Sequence, residues 1–355
     1  MKIALIVHDL HSSGGHSLYT KTLACGLSRN HEVTVFANMS DTHSNNSWEF
    51  RRVSALRINA LSSVQTFPLG MRRHAEALAG FDITHAQGYC GGSPNVVTAH
   101  ICVASYLNSL RSISLRNRLS LKLMAAAESK FYRQYNSQVI AISKKIAGDL
   151  REHYQVRCPI KVIPHGVDNR RFSSANRVRF RSLVRRELGI AEDQAVALYV
   201  GDLTKAHTHL KSLSEAAPDI QMVIVTRSRR YRWHGENVRI LPPTSEIERY
   251  YAAADAFVFP TTYDAFGMVV LEAMASGLAV FTSDCAGASE IISSGRDGFV
   301  FPLDEWVEGT VAALRDRELI CSIGQKAEAS AQEYGWPSVV QAVERTYLEV
   351  IASSN

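Results

Sequence analysis

The chain has 355 residues, of which 46% are hydrophobic and 21% are charged, and its formal net charge is +5. This composition is typical of a globular protein, and the length favours two domains. No apolar run approaches the roughly 20 residues that a membrane-spanning helix needs, and the first residues begin a strand rather than a signal peptide. The six cysteines form no CxxC pair, so we expect reduced thiols of a cytoplasmic protein, with no disulfide framework and no metal site.

Short β-type runs alternate with helix-length amphipathic segments along the whole chain. The predicted strands of the first half span residues 3–7, 33–37, 83–86, 95–99, 138–142 and 161–164. Those of the second half span residues 195–200, 221–226, 238–241, 256–260, 279–282 and 298–301. This alternation predicts an α/β protein with two Rossmann-like, doubly wound parallel sheets. Ligands of such sheets bind beyond the carboxyl ends of the strands, so we expect the domains to face a central cleft.

The domain boundaries follow from composition. Residues 1–170 form the predicted first domain and residues 187–335 the second. Residues 171–186 are polar and basic without a hydrophobic period, and we interpret them as a linker. The amphipathic segment 336–355 is predicted to be a helix, and its sequence does not decide on which of the two domains it packs.

Charge is unevenly distributed between the halves. Residues 1–170 carry 20 Lys and Arg against 10 Asp and Glu, whereas residues 171–355 carry 19 against 24. The basic residues concentrate in segment 111–133, where leucines interleave with them. A basic amphipathic segment is suited to peripheral contact with an anionic membrane, although a solvated helix packed on its own domain also explains it. Nucleic acid is a poor partner, because no ladder of aromatic residues or recognised motif accompanies the charges.

Two features of the first half fall at strand ends. Gly14 and Gly15 occupy the first strand-to-helix turn, where glycine lets the backbone approach a phosphate, although an ordinary turn is the more frequent explanation of a lone Gly-Gly. His100 ends the run Val-Val-Thr-Ala-His. Its imidazole is suited to hold a sugar hydroxyl or move a proton, and a structural hydrogen bond is the alternative.

The most informative segment is 262–277, with the sequence TYDAFGMVVLEAMASG. Asp264 and Gly267 precede a short apolar helix, whose free N–H groups attract an anion. Glu272 lies inside that helix, where a carboxylate is costly to bury without a polar partner. Lys205 follows an earlier strand and is positioned to hold a diphosphate. The alternatives are a structural ion pair for Glu272, a turn or cap for Asp264 and an ordinary surface lysine.

Taken together, these motifs resemble a family-4 glycosyltransferase with the GT-B fold. The resemblance covers nearly the whole chain, and the acid-x7-acid segment that ends in Glu-Ala-Met-Ala-Ser-Gly is its most specific part. It implies a retaining, metal-independent hexosyltransferase without a cofactor, of the kind that builds bacterial lipopolysaccharide or exopolysaccharide. The expected substrates are a UDP- or GDP-sugar donor and a glycan or glycolipid acceptor, at the cytoplasmic face of the inner membrane.

By the resemblance, Glu272 binds the ribose hydroxyls, and Lys205 neutralises the diphosphate. Asp264, with Phe266, Gly267 and Met268 at the helix start, contacts the transferred sugar and its phosphate. Gly14 and Gly15 approach the same phosphate from the other domain. His100 lies at the catalytic centre. The last helix, 336–355, is expected to return to the first domain.

Three positions depart from the family pattern. Asp202 stands where arginine is frequent, and we consider Arg227 as a substitute cation. Asp264 replaces the usual glutamate and is shorter by one methylene group. His165 stands where asparagine is common. The first two departures keep open a binding or scaffold protein that has lost turnover. A nucleotide-sugar epimerase of the same fold is a second alternative to a transferase.

Overall fold

The structure is a computed structural model that describes residues 1–10, 15–41, 47–56, 58–110, 113–228, 233 and 235–354. It divides into two compact units. Unit 1 comprises Met1–His165 and Trp336–Asn355, and unit 2 comprises Gly166–Gly335.

Unit 1 contains a parallel sheet with the strand order β3-β2-β1-β4-β5-β6-β7. Its strands are β1 (Lys2–Ile6), β2 (Glu32–Ala37), β3 (Glu49–Arg52), β4 (Ile83–Gln87), β5 (Val96–Ala99), β6 (Gln138–Ala141) and β7 (Ile160–Val162). Its helices are α1 (Gly15–Leu27), α2 (Ala60–Arg72), α3 (Ala75–Leu78), α4 (Val103–Ser109), α5 (Leu115–Gln134), α6 (Lys144–Tyr154) and, at the end of the chain, α13 (Trp336–Ser354). The reversal of strand order at β1 and β4 is typical of a doubly wound sheet.

Unit 2 contains a second parallel sheet, with the order β10-β9-β8-β11-β12-β13. Its strands are β8 (Val196–Val200), β9 (Gln221–Val225), β10 (Val238–Leu241), β11 (Ala256–Phe259), β12 (Ala279–Ser283) and β13 (Phe299–Phe301). Its helices are α7 (Asn176–Glu187), α8 (His207–Ala216), α9 (Glu248–Ala253), α10 (Met268–Ala275), α11 (Trp306–Leu314) and α12 (Arg317–Ala331). Here the strand order reverses between β8 and β11.

The predicted fold class is confirmed: both units are Rossmann-like, and each predicted strand is present with shifts only at its ends. Strand β3 was not predicted. Its sequence, Glu-Phe-Arg-Arg, has no buried residue and no alternation of apolar and polar positions. A strand at the edge of a sheet pairs on one side only, and charged side chains protect such an edge from further pairing. Periodicity therefore misses it.

The linker expected at residues 171–186 is instead mostly helix α7, which belongs to unit 2. The segment looks polar because arginines take the inward positions that apolar residues usually hold. Arg185 is fully buried and donates to the carboxylate of Asp255 at 2.8 Å. A buried ion pair thus replaces a hydrophobic face, and the hydrophobic period disappears.

Helix α13 belongs to unit 1 although the whole of unit 2 precedes it in the chain. The hydroxyl of Tyr347 lies 2.6 Å from Nδ1 of His85 on β4, and both side chains are fully buried. Glu344 is also on α13, and its Oε1 lies 2.7 Å from Nε2 of His31. Buried polar groups require such partners, so α13 completes the core of unit 1.

Helices α10 and α12 pack with their backbones close together. Gly277 ends α10 at φ +73°, a conformation that favours glycine. Opposite it on α12 is Gly324, where an added Cβ would lie 2.3 Å from the carbonyl oxygen of Gly277. This close approach of the α12 backbone to the Gly277 carbonyl requires glycine at position 324, and it fixes the position of α10.

Replacing Gly324 with alanine should therefore destabilise unit 2. The methyl group would push against backbone, and overpacking of this kind costs about 1–3 kcal/mol in the free energy of unfolding. Urea unfolding followed by circular dichroism measures the change. Gly148→Ala is the matched control, because an added Cβ at this helical glycine in α6 meets nothing within 4 Å. The control should be neutral or stabilising, and equal effects of the two substitutions would contradict the packing argument.

Candidate functional site

The two central strands of unit 2 bring together Lys205 and Asp264. Lys205 ends a 3₁₀ turn, Leu203–Lys205, that follows β8, and Asp264 follows β11. Since β8 and β11 are neighbours in the sheet, the two loops meet, and Thr262 N–H donates to the Lys205 carbonyl at 3.1 Å. Lys205 Nζ lies 3.7 Å from Asp264 Oδ2. The sequence placed both residues at strand ends but did not predict that they pair.

Asp264 also shapes the turn that leads into α10. Its backbone N–H donates to the Cys285 carbonyl at 3.2 Å, and its own carbonyl accepts from Gly287 at 3.0 Å. Its Oδ1 accepts the N–H of Phe266 at 3.2 Å. The Phe266 amide, which the resemblance assigns to the donor phosphate, is thus engaged by Asp264 in this structure.

Helix α10 begins without a side-chain cap. Its N-cap is Gly267, at φ +94°, and the cap makes no side-chain hydrogen bond. Met268 is the first helical residue and is partly buried. An uncapped N-terminus leaves backbone donors and the positive end of the helix dipole for an anion.

Glu272 is partly buried on α10, where its Oε2 accepts a hydrogen bond of 3.0 Å from the hydroxyl of Tyr251. Burial raises the pKa of its carboxyl to about 7, although the Tyr251 hydrogen bond and the charge of Arg171 act in the opposite direction. Arg171 itself pairs with Glu248 at 2.8 Å. Within the described part of the chain no ion pair reaches Glu272, so the structural ion pair considered for it is not observed there.

Asp202 organises the loop after β8. Gly201, just before it, has φ +156°, and an added Cβ would lie 2.9 Å from the Tyr199 hydroxyl. Oδ1 of Asp202 accepts the Thr204 N–H at 3.0 Å and the Ser228 hydroxyl at 2.8 Å. Burial opposes ionisation, but these hydrogen bonds lower the pKa of Asp202 below its usual value. At the position where the resemblance leads us to expect arginine, this chain therefore has an acidic group that ties the β8 and β9 loops together.

Three predicted donor residues remain: Arg227, Gly14 and Gly15. Arg227 is exposed just after β9, and its side chain makes no hydrogen bond or ion pair with any described residue. Gly14 lies outside the described residues, while Gly15 is exposed at the start of α1.

In unit 1, His100 is buried at the end of β5 in a group of aromatic rings. Its ring centroid lies 4.1 Å from that of His16, 4.8 Å from that of Tyr19 and 5.6 Å from that of His165. Burial, followed by the neighbouring imidazoles, lowers the pKa of His100 well below its usual value. The ring is therefore neutral near pH 7, and it is suited to accept a hydrogen bond.

Gln87 determines which ring nitrogen of His100 accepts. Nε2 of His100 lies 2.9 Å from Oε1 of Gln87, an oxygen that only accepts, so Nε2 carries the hydrogen. Nδ1 of His100 is buried and has no hydrogen-bond partner among the described residues. On its other side, Gln87 Nε2 lies 3.3 Å from Nε2 of His85. Sequence reasoning missed Gln87 and His85, although both lie on β4, next to the strand that ends at His100.

The described residues contain no group of three or more His, Cys, Asp or Glu side chains arranged to hold a metal ion. Nor does any helix among them have the length and apolar character needed to cross a membrane.

The state of Glu272 predicts how stability varies with pH. Because the carboxyl has a pKa of about 7 in the folded chain and an ordinary value of 4.5, folding favours its protonated form. Its contribution to stability is complete below pH 4.5 and is lost as the pH rises through 7. Relative to the wild type, Glu272→Gln should therefore gain stability as the pH rises through this interval, by up to about 3 kcal/mol.

Urea unfolding of the ligand-free protein at several pH values measures this difference. The control is Glu152→Gln, at an exposed position of α6, which should follow the wild type at each pH. Parallel curves for Glu272→Gln and the wild type would show that burial does not hold the carboxyl protonated.

Comparison with known proteins identifies both halves of the chain. Residues 13–171 match the family model described as Glycosyltransferase Family 4. Residues 194–316 match the model described as Glycosyl transferases group 1. Together the two matches cover most of the sequence.

Relatives of known sequence or structure agree with this assignment. An uncharacterized glycosyltransferase of Methanocaldococcus jannaschii is 26% identical, and the alignment covers 98% of each chain. The crystal structure of WaaG, a glycosyltransferase involved in lipopolysaccharide biosynthesis, superposes with a TM-score of 0.79 at 21% identity, over 96% of this chain and 98% of WaaG. HepE of Anabaena, in complex with UDP-glucose, superposes with a TM-score of 0.71 at 18% identity, over 97% and 98%. The chain belongs to the family-4 glycosyltransferases and has the GT-B fold.

Proposed function

We propose that the protein is a retaining, metal-independent hexosyltransferase that takes its sugar from a nucleoside-diphosphate sugar bound by unit 2. The observation that carries the proposal is Glu272, a partly buried carboxylate with one hydrogen bond, from Tyr251, and no ion pair in the described chain. A carboxylate in such a place is costly unless a ligand supplies donors. The two hydroxyls of a ribose supply them in the required geometry.

The diphosphate would bind where Lys205, Asp264 and the start of α10 meet. In this structure Asp264 occupies both the Lys205 ammonium group and the Phe266 amide. A diphosphate carries more negative charge than one carboxylate and would compete for Lys205. The uncapped start of α10 at Gly267 and Met268 would supply further donors. In this arrangement Asp264 would face the transferred sugar.

Lys205 and the α10 N-terminus would then act on the leaving group. Negative charge develops on the departing diphosphate during transfer, and fixed donors aimed at that charge are commonly the largest catalytic term. The neutral ring of His100, held by Gln87, is proposed to accept a hydrogen bond from a hydroxyl group of the transferred sugar. The exposed guanidinium of Arg227 is a second candidate for the phosphates.

The donor and acceptor proposed here rest on proteins that share the fold. HepE, which shares the fold, is described with UDP-glucose, and we propose a UDP-sugar as donor, with a GDP-sugar as the alternative. WaaG is described as acting in lipopolysaccharide biosynthesis, and a surface glycan or glycolipid is the proposed acceptor. An epimerase of the same fold remains the nearest alternative, because its donor site would need the same groups.

The donor site is tested by calorimetric titration with UDP-, GDP- and ADP-sugars. Glu272→Ala and Lys205→Ala should each weaken donor binding about tenfold or more, since each removes charge-assisted hydrogen bonds. Lys211→Ala is the matched control, because Lys211 is an exposed lysine of α8 that pairs with Glu215 at 3.6 Å. The proposal fails if none of these sugars binds or if Glu272→Ala binds its donor as tightly as the wild type.

Products then separate the enzyme classes. A transferase should move the sugar to an extracted glycolipid with retained anomeric configuration, and EDTA should leave the rate unchanged. Conversion of the donor sugar without an acceptor would instead show an epimerase. Donor binding without either reaction would show a binding protein.

We also propose that α5 rests on an anionic membrane that carries the acceptor, at the cytoplasmic face. The side chains of Leu115, Leu119 and Leu123 are 87%, 60% and 45% exposed. Their four-residue spacing places them on one face of the helix. Arg116, Arg118 and Lys122 are exposed between them. A leucine stripe flanked by cations suits the interface of an anionic bilayer better than water.

Binding to phosphatidylglycerol vesicles tests this surface. The double substitution Leu115→Asp and Leu119→Asp should reduce the bound fraction about tenfold, because it removes apolar contact and adds negative charge. Val178→Asp is the control, at a 96% exposed valine of α7 in unit 2. Vesicles of phosphatidylcholine should bind less, and high salt should weaken binding. Equal vesicle binding by the double variant and the control would refute the proposal.

A further inference from the structure

Helix α7 carries three arginines at four-residue intervals: Arg177, Arg181 and Arg185. Residues at this spacing share one face of a helix. Three like charges on one face repel each other, so each requires a compensating partner. Two of them share one carboxylate, and the third has no partner among the described residues.

Arg181 and Arg185 share the carboxylate of Asp255. Arg181 donates to Oδ1 at 2.6 Å and Arg185 to Oδ2 at 2.8 Å. Their remaining donors reach backbone carbonyls: Arg181 bonds those of residues 253 and 254, and Arg185 bonds those of residues 191, 192, 194 and 253. These two guanidinium groups therefore have structural roles.

Arg177 differs from both. Its side chain is partly buried, yet it makes no hydrogen bond or ion pair with any described residue. Burial, followed by the charge of Arg181, lowers the pKa of Arg177, and Asp255 compensates only in part. The five donors of this guanidinium are available for a ligand.

Arg177 lines a cavity of about 410 Å³ that lies wholly in unit 2. The cavity lies at the amino ends of the strands, whereas Lys205 and Asp264 follow their carboxyl ends. Ala195 and Asp255 line it and immediately precede β8 and β11, whereas the proposed donor residues follow those strands. The cavity is therefore distinct from the donor site.

A second arginine, Arg317, enters the cavity from α12. One of its Nη atoms donates to the backbone carbonyl of Asp193, which leaves further donors unused. The cavity also holds Gln325 and the thiol of Cys321. Arginines from α7 and α12 and the side-chain amide of Gln325 thus line the same cavity.

Acidic groups also line this cavity, and most have partners or face water. Asp255 is held by Arg181 and Arg185. Glu328 accepts the backbone N–H of Ser174 at 3.0 Å. Glu192 and Asp193 belong to an exposed turn. Four acidic residues thus line the cavity beside three arginines, and of these arginines Arg177 makes no hydrogen bond or ion pair with a described residue.

We propose that this cavity is a binding site for a small, hydroxylated phosphomonoester, whose phosphate group is held by Arg177 and Arg317. Guanidinium groups bind phosphate through paired, charge-assisted hydrogen bonds. Gln325 and Glu328 offer partners for the hydroxyl groups, and the volume accommodates a phosphorylated sugar. Nothing in the proposed transfer reaction requires this site, so it stands or falls independently of the donor site.

Calorimetric titration of the full chain with glucose 6-phosphate, inorganic phosphate and glucose tests the proposal. Glucose 6-phosphate should bind and glucose should not, while phosphate alone should bind more weakly. Arg177→Gln should weaken binding of glucose 6-phosphate about tenfold or more, because it removes a charge-assisted pair. Arg179→Gln is the matched control on the same helix, where Arg179 is exposed and lies against the ring of Phe180 outside the cavity.

Alkylation of Cys321 by iodoacetamide, followed by peptide mass spectrometry, locates the ligand. Glucose 6-phosphate should slow modification of Cys321, which lines the cavity, and leave that of Cys25, an exposed cysteine of unit 1, unchanged. Absence of binding overturns the proposal. Binding that is equally tight in the Arg177→Gln and Arg179→Gln variants overturns it as well, because the phosphate would then lie elsewhere.

Discussion

The pairing of β8 with β11 is the constraint on which the candidate donor site depends. These strands are distant in sequence, yet they lie side by side in register, with Ala197 opposite Ala256. Their carboxyl ends consequently emerge together, and the loops that follow bring Lys205 to Asp264. Helix α10 begins directly after the Asp264 loop, so its N-terminus and Glu272 are positioned by the same pairing. The reversal of strand order at this point makes it the place where a doubly wound sheet accommodates a ligand.

Burial of an acid does not by itself distinguish a binding group from a structural one. Glu128 and Glu272 both have a pKa that desolvation raises to about 7. Oε2 of Glu128, however, accepts two hydrogen bonds, from the Tyr154 hydroxyl at 2.7 Å and the Val103 N–H at 3.1 Å. Those bonds join α4, α5 and α6, and they explain the burial of Glu128. Glu272 has one such bond and lies on the helix that begins beside Lys205. Location and unused hydrogen-bonding capacity, together, support its role in binding.

Particular residues show what the sequence predicts and what it leaves out. Buried parallel strands are almost continuous apolar runs, so their positions and the fold class could be predicted. The positions of Lys205, Asp264 and Glu272 relative to those strands predict them as donor-binding residues. Their pairing depends on strand order, which periodicity does not contain. Helix α7 has the sequence of a linker because Arg181 and Arg185 replace its apolar face. Gln87 and Tyr251, which hold His100 and Glu272, had no sequence signal, since only the folded chain brings them together.

The contact between Tyr347 and His85 has a consequence for synthesis of the chain. The two residues are 262 positions apart, and both are fully buried. A ribosome that has released all of unit 2 has still not produced the helix that covers part of the unit 1 core. Unit 2, which is continuous in sequence, has all its residues before unit 1 does. The half of the protein that begins the chain is thus the last to acquire its full core. Loss of the final helix by early termination would remove Tyr347 and expose His85 to water. Every residue of unit 2, which is proposed to bind the donor, would still be present.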